Sequence, residues 1–177
     1  TLATVRALVT SGLPPTIIVS IGAINTSLAI IRDGILVLTY SIPTGGNAIS
    51  RSIEADFGLT QSQSEEYKKT YGFSKTGIGQ KVGQSTQPIL ASILLEVRKA
   101  LAFYSQKYKD DSIIQQILLS GGTAHLPGID IFFAENLGIE TVVANPWKIF
   151  GEKPLPSGLL NESSDFTVAL GLAMRDL

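Results

Sequence analysis

Two glycine-bearing turns carry the residue types that can hold a polar, phosphate-like group. The first is Ser20-Ile21-Gly22-Ala23-Ile24-Asn25-Thr26, between two β-rich runs. Gly22 lets the backbone approach an anion closely. Successive amides across Gly22, Ala23 and Asn25, with the Thr26 hydroxyl, supply donors. A hairpin with Gly and Asn also serves as a plain turn, and that reading stands beside the first. The second is Leu119-Ser120-Gly121-Gly122-Thr123-Ala124-His125-Leu126-Pro127-Gly128. A strand running into Gly121, Gly122 and Thr123 and then into a helix occupies the carboxyl-end position where open sheets bind ligands. The same glycines also serve strand-to-helix geometry alone.

Other chemistry-bearing residues are sparse. Glu65 and Lys68 have the spacing of a solvated ion pair on one helix face. His125 follows the second turn and reads as a surface histidine, with a place near a base edge as the alternative. Trp147 reads as a packing residue over the last strand, and Tyr104 and Tyr108 as core. No Ser-His-Asp or paired-carboxylate arrangement stands out. One histidine and no cysteine exclude a multi-histidine metal site and all thiolate chemistry. A net charge of -1, from 14 basic and 15 acidic residues, argues against an electrostatic grip on nucleic acid or anionic lipid.

The 177 residues, 44% hydrophobic and 16% charged, suit one domain with one sizeable core. No apolar run reaches the ~18 residues of a membrane span, and Thr1 to Leu13 lacks the features of a secretory signal. That segment reads as a short amphipathic helix turning Leu2, Val5, Leu8 and Val9 inward. Its start, without methionine or a plausible cap, suggests a chain that begins inside a helix of a longer protein. Strands are expected at Thr16 to Ile21, Thr26 to Arg32 and Ile35 to Ile42, the last two joined by Asp33-Gly34. Ala48, Ile49, Ile53 and Phe57 mark a helix that Gly58 ends. Ser62 to Tyr71 is a polar helix with glutamates early and lysines late.

Gly72 to Gly83 reads as a mobile loop. A long helix from about Thr86 to Lys109 carries the stripe Ile89, Ile93, Val97, Leu101, Tyr104 and Tyr108. Ile113 to Ser120 is a strand, Leu126 to Leu137 a helix and Glu140 to Ala144 a last strand. An irregular segment then runs to about Glu162. Phe166 to Arg175 closes the chain with Val168, Ala169 and Leu172 available for packing. The order β-β-β-α, a small helical insertion at about 59–84, then α-β-α-β-α is that of a ribonuclease-H-like α/β fold. Its mixed five-stranded sheet has helices on both faces.

In this order and spacing the two turns resemble the second phosphate motif and the adenosine motif of the actin, heat-shock chaperone and sugar-kinase superfamily. Four further segments are similar to its bacterial FtsA and PilM branch. They are Ser41-Ile42-Pro43-Thr44-Gly45-Gly46-Asn47-Ala48-Ile49-Ser50, Ser64-Glu65-Glu66-Tyr67-Lys68, Val143-Ala144-Asn145-Pro146-Trp147, and Ala169 to Arg175. The Asn-Pro-Trp segment and the helix Val97 to Tyr104 bring the chain nearer to PilM, the type IV pilus assembly family, than to FtsA. The resemblance runs from about Leu2 to the C-terminus.

It implies an actin-like ATPase fold and the second half of an ATP or ADP cleft, with magnesium. The first domain of the parent is not in this sequence. Gly22, Ala23, Asn25, Thr26, Gly121, Gly122 and Thr123 would hold nucleotide, and Glu65 and Lys68 would approach ribose and adenine. It further implies a cytoplasmic scaffold, peripheral to the inner membrane, for type IV pilus or related type II secretion assembly. The partner would be an inner-membrane protein of the PilN type. The alternatives are half of an ATPase or kinase, or an FtsA-like filament protein of cell division. Two departures weigh against efficient hydrolysis. Ser20 stands where the family has a magnesium-holding aspartate, and Ile24 is bulky for a phosphate loop.

Overall fold

The computed structural model describes residues 1–10, 12–73, 77–108, 113–151 and 163–175. Five strands form one mixed sheet: β1 Thr16–Ile21, β2 Thr26–Arg32, β3 Ile35–Ile42, β4 Gln116–Ser120 and β5 Glu140–Val143, in the order β3-β2-β1-β4-β5. β1 pairs antiparallel with β2 and parallel with β4; β2–β3 is antiparallel and β4–β5 parallel. The hairpin turn is as expected, with Asp33 and Gly34 both at positive φ. Among the described residues six α-helices accompany the sheet: α1 Leu2–Leu8, α2 Gly46–Phe57, α3 Gln61–Tyr71, α4 Gly77–Lys107, α5 Ile129–Leu137 and α6 Thr167–Ala173.

Alternation along the central strands divides the core between two faces. Ile17, Val19 and Ile21 of β1 join Ile49 and Ile53 of α2, Leu90, Ile93 and Val97 of α4 and Phe133 of α5 in the larger cluster. Ile18, on the opposite face of β1, joins Leu118, Ile31 and Leu8 of α1 in the smaller one. Burying both faces of β1 is what a continuous apolar strand demands, and it leaves polar groups to the strand's ends.

Four expectations need correction. The stretch Gly77 to Gly83, read as loop, is the first two turns of α4. Gly79, Val82 and Gly83 are buried there, and Gly83 lies against the Phe73 ring. These glycines serve close packing rather than mobility. The remainder of the expected loop, 74–76, lies outside the described residues. Leu2 does not turn inward but is 68% exposed; Thr4, Ala7 and Leu8 form the buried face of α1 instead. Val168, Ala169 and Leu172 are exposed as well, and α6 buries Thr167 and Gly171.

Ile113 is exposed, so the fourth strand starts only at Gln116. Trp147, expected over the last strand, is buried against Phe166 at 5.9 Å and Phe150 at 6.2 Å between ring centroids. The stripe on α4 is present, with Ile93, Val97 and Tyr104 fully inside and Ile89, Leu101 and Tyr108 at its margin.

α1 and α6 meet through a glycine. A Cβ on Gly171 would run into the carbonyl of Ala3, and Arg6 Nη1 donates to the Gly171 carbonyl at 2.6 Å. Gly171→Ala should therefore part the two helices and cost about 1–3 kcal/mol, measured by urea unfolding of the chain. An unchanged midpoint would show that this contact yields freely.

Candidate nucleotide cleft

The β1–β2 turn is held from behind by the start of α2. Gly46 N donates to Gly22 O at 2.8 Å and Asn47 N to Ala23 O at 2.8 Å. Gly22 N closes the turn on Asn25 O at 3.0 Å. None of these bonds engages the amides of Ala23 and Ile24 at the tip. The contact needs a bare backbone, since a Cβ on Gly45 would lie 2.5 Å from Gly22 O.

Gly121 opens the second turn at φ +83°, and a Cβ there would stand 2.6 Å from Ile21 O. That position is glycine on both counts. Gly122–His125 then forms a 3-10 turn. Ser164 Oγ donates to Gly121 O at 3.0 Å and lies 2.8 Å from His125 Nε2, which ties the segment before α6 to this turn.

Between the turns lies a cleft of about 640 Å³, within the ~300–1,000 Å³ range of small-ligand sites. Six of the nine candidate residues line it: Gly22, Ala23, Glu65, Lys68, Gly122 and Thr123. Three do not. Thr26 is buried and gives its hydroxyl to Thr44 O at 2.7 Å. Asn25 is exposed and reaches Ser41 Oγ at 3.4 Å, and Gly121 supports the turn from below. Ile24 is 78% exposed and outside the lining.

Glu65 and Lys68 are not a solvated pair. α3 starts with a Thr60–Gln63 capping box, and its inner face drops Lys68 to the cleft floor, 8% exposed. Lys68 Nζ donates to Glu65 Oε1 at 2.8 Å, Ser50 Oγ at 2.9 Å and, more weakly, Gly46 O at 3.4 Å, so its three protons are spent inside the protein. Ser50 Oγ also bonds Glu65 Oε1. Burial, the largest single influence on Glu65, raises its pKa. Hydrogen bonds from Lys68 and Ser50, with the charges of Lys68 and Lys69, together outweigh burial and hold it below the ordinary value.

Gly46, Asn47, Gln61, Lys69, His125, Leu126 and Asp165 also line the cleft and were not among the candidate site residues. Lys69 was legible as the neighbour of Lys68. Gly46 was visible only within the segment Ser41 to Ser50 that resembles the FtsA and PilM branch. His125, read as a surface residue, belongs to the wall. Asp165 has no local signal, because it reaches the cleft from a segment some forty residues beyond the turn it faces. Its Oδ1 lies 3.2 Å from where a Cβ on Gly122 would sit.

A family model for type IV pilus assembly protein PilM matches residues 4–177, nearly the whole sequence.

The chain belongs to the PilM family. Among solved structures it is similar to the PilM-PilN type IV pilus biogenesis complex, at 26% identity and a TM-score of 0.78. That match covers 98% of this chain and 48% of the other. It is also similar to the cell division protein FtsA of Bacillus subtilis strain 168, at 27% identity over 146 residues, 73% of this chain and 33% of FtsA. MreB5 of Spiroplasma citri bound to AMPPNP shares the fold, at 20% identity and a TM-score of 0.70, with coverage of 99% and 56%. The sheet, its flanking helices and the helical insertion are thus those of an actin-like ATPase domain. The chain spans about half of the PilM structure and a third of FtsA.

Magnesium fits the described residues poorly. Among the described residues no group of three or more His, Asp or Glu is placed to hold a metal, and Ser20 brings no charge. Glu65 and Asp165 are the acids of the cleft lining, and Glu65 is committed to Lys68.

The sign of the Glu65 shift sets an acid dependence. A carboxyl held below its ordinary value of 4.5 contributes stability that is fully present above that value. The contribution is lost as pH falls through the depressed one. Glu65→Gln should lower stability at neutral pH and flatten the stability–pH curve below about pH 4.5, as read by denaturant titrations across the acid range. An acid limb identical to that of the unaltered chain would contradict this.

Proposed function

We propose that this chain is the nucleotide-holding second domain of a pilus-assembly scaffold. The observation that carries this reading is the convergence of both glycine turns, the start of α2 and the Glu65–Lys68 pair on one cleft. In it, residues 1–177 form one wall of an ATP or ADP site, and the preceding domain of the full-length protein forms the other. The Ala23 amide, free of the turn's own bonds, would meet phosphate oxygens. Thr123 and the Gly122 backbone would flank the adenosine. Lys68 would act through Glu65 and the α2 start rather than by touching phosphate, which leaves Lys69 as the exposed ammonium on that wall.

ATP would serve as a conformational ligand whose differential contacts favour the closed pair of domains. Related structures support a nucleotide as the occupant: MreB5 is bound to AMPPNP in one crystal structure and to ADP in another. The partner proposed is an inner-membrane protein of the PilN type, on the strength of the similar PilM-PilN complex. That partner would hold the protein at the cytoplasmic side of the membrane. Among the described residues no helix is long and apolar enough to cross one.

Two measurements check this. Titration calorimetry of the full-length protein with ATP and with a peptide of the partner's cytoplasmic tail should give binding to both. Absence of both would overturn the reading. Ser20→Asp would add a carboxylate that the described residues lack there, and should raise magnesium-dependent phosphate release by about ten- to a hundredfold. If phosphate release does not rise, the argument from the missing carboxylate at Ser20 fails.

A further inference from the structure

Gly46 stands where three parts of the cleft meet. Its N–H holds the phosphate-side turn through Gly22 O at 2.8 Å. Its carbonyl lies 3.0 Å from Ser50 Oγ, whose single proton is shared with Glu65, and accepts from Lys68 Nζ at 3.4 Å. Its α-carbon faces the second glycine turn so closely that a Cβ would lie 2.5 Å from Thr123 Oγ1. The next nearest atoms to that Cβ are Lys68 Nζ at 3.5 Å and Gly22 O at 3.6 Å. One residue without a side chain therefore touches the first turn, the second turn and the buried ion pair. The first amides of α2 are spent on carbonyls of the turn, so the helix end serves as a clamp and leaves these donors unavailable to an anion.

We infer that Gly46 is a positioning residue that locks the two glycine turns and the Lys68–Glu65 pair into one body, so that nucleotide contacts at either turn are felt at the other. This rests on the nucleotide reading above for its ligand, but the junction itself is a property of the empty protein. A flexible Gly46 would let the turns move separately, whereas the bonds on both sides of its peptide plane deny that freedom. The tight spot is a single hydroxyl, so removing that hydroxyl should restore what an added methyl disturbs.

The test is a rescue cycle in the full-length protein with Gly46→Ala, Thr123→Ala and the double variant. Glu65 titration is followed by carboxyl NMR and ATP binding by calorimetry. Gly46→Ala should move the Glu65 titration up toward its ordinary value and weaken ATP by about tenfold, the effect of modest overpacking. The double variant should return Glu65 to its wild-type position and bind ATP as Thr123→Ala does alone. If Gly46→Ala does not fold, the double variant must. Failure of rescue, or a Gly46→Ala protein unchanged in both readouts, overturns the inference. If the wild type binds no ATP while the Glu65 shift and its rescue hold, the nucleotide reading falls and the junction stands.

Discussion

The hydrogen bonds from the first amides of α2 to the carbonyls of Gly22 and Ala23 are the constraint on which this site depends. A turn between two antiparallel strands has no reason of its own to keep its tip amides pointing at a ligand. Holding its carbonyls from behind fixes the peptide planes and thereby aims the N–H groups the other way. The clamp requires helix and turn to approach at backbone distance, which only glycine at 45 permits, while Gly46 makes room for Thr123 of the second turn. Those two glycines in turn let α2 start close enough to β1 for Ile49 and Ile53 to enter the main core.

The energetic division follows from the sheet. β1 and β4 lie at its centre with both faces covered, and their apolar side chains are almost wholly removed from water. Polar groups therefore gather at the carboxyl ends, where Ser120 Oγ meets Thr167 Oγ1 at 3.2 Å and Ser164 meets Gly121 and His125. Buried hydroxyls with partners cost little, and here they bind the last helix to the rim of the cleft. The far side of that helix presents Val168 and Leu172 to solvent, while its inner side has only the room that Gly171 leaves.

The Lys68–Glu65 pair shows why an i,i+3 ion pair cannot be judged from spacing. On an exposed helix it contributes a few tenths of a kcal/mol. Here the ammonium is enclosed, with Ser50 and the Gly46 carbonyl completing its donors. Removing either charge would strand the other, so the pair fixes how α3 sits on α2 more than it adds net stability.

All five strands, the hairpin at Asp33-Gly34 and the helix ended by Gly58 were legible in the sequence. They rest on local patterns: alternation, apolar continuity and residues that accept positive φ. Four of the candidates that line the cleft, Gly22, Ala23, Gly122 and Thr123, lie in glycine turns at strand ends, whereas Glu65 and Lys68 lie on α3 and were pointed to by the resemblance alone. What the sequence could not decide depends on which surfaces meet. Gly79 and Gly83 look like loop until α4 buries them, Gly83 against the Phe73 ring, and Thr26 looks like a ligand donor until its hydroxyl donates to Thr44 O. Local chemistry determined the turns and the order of elements. Tertiary contact alone decided which donors remain free, because a hydrogen bond already made inside the protein is invisible in the order of its residues.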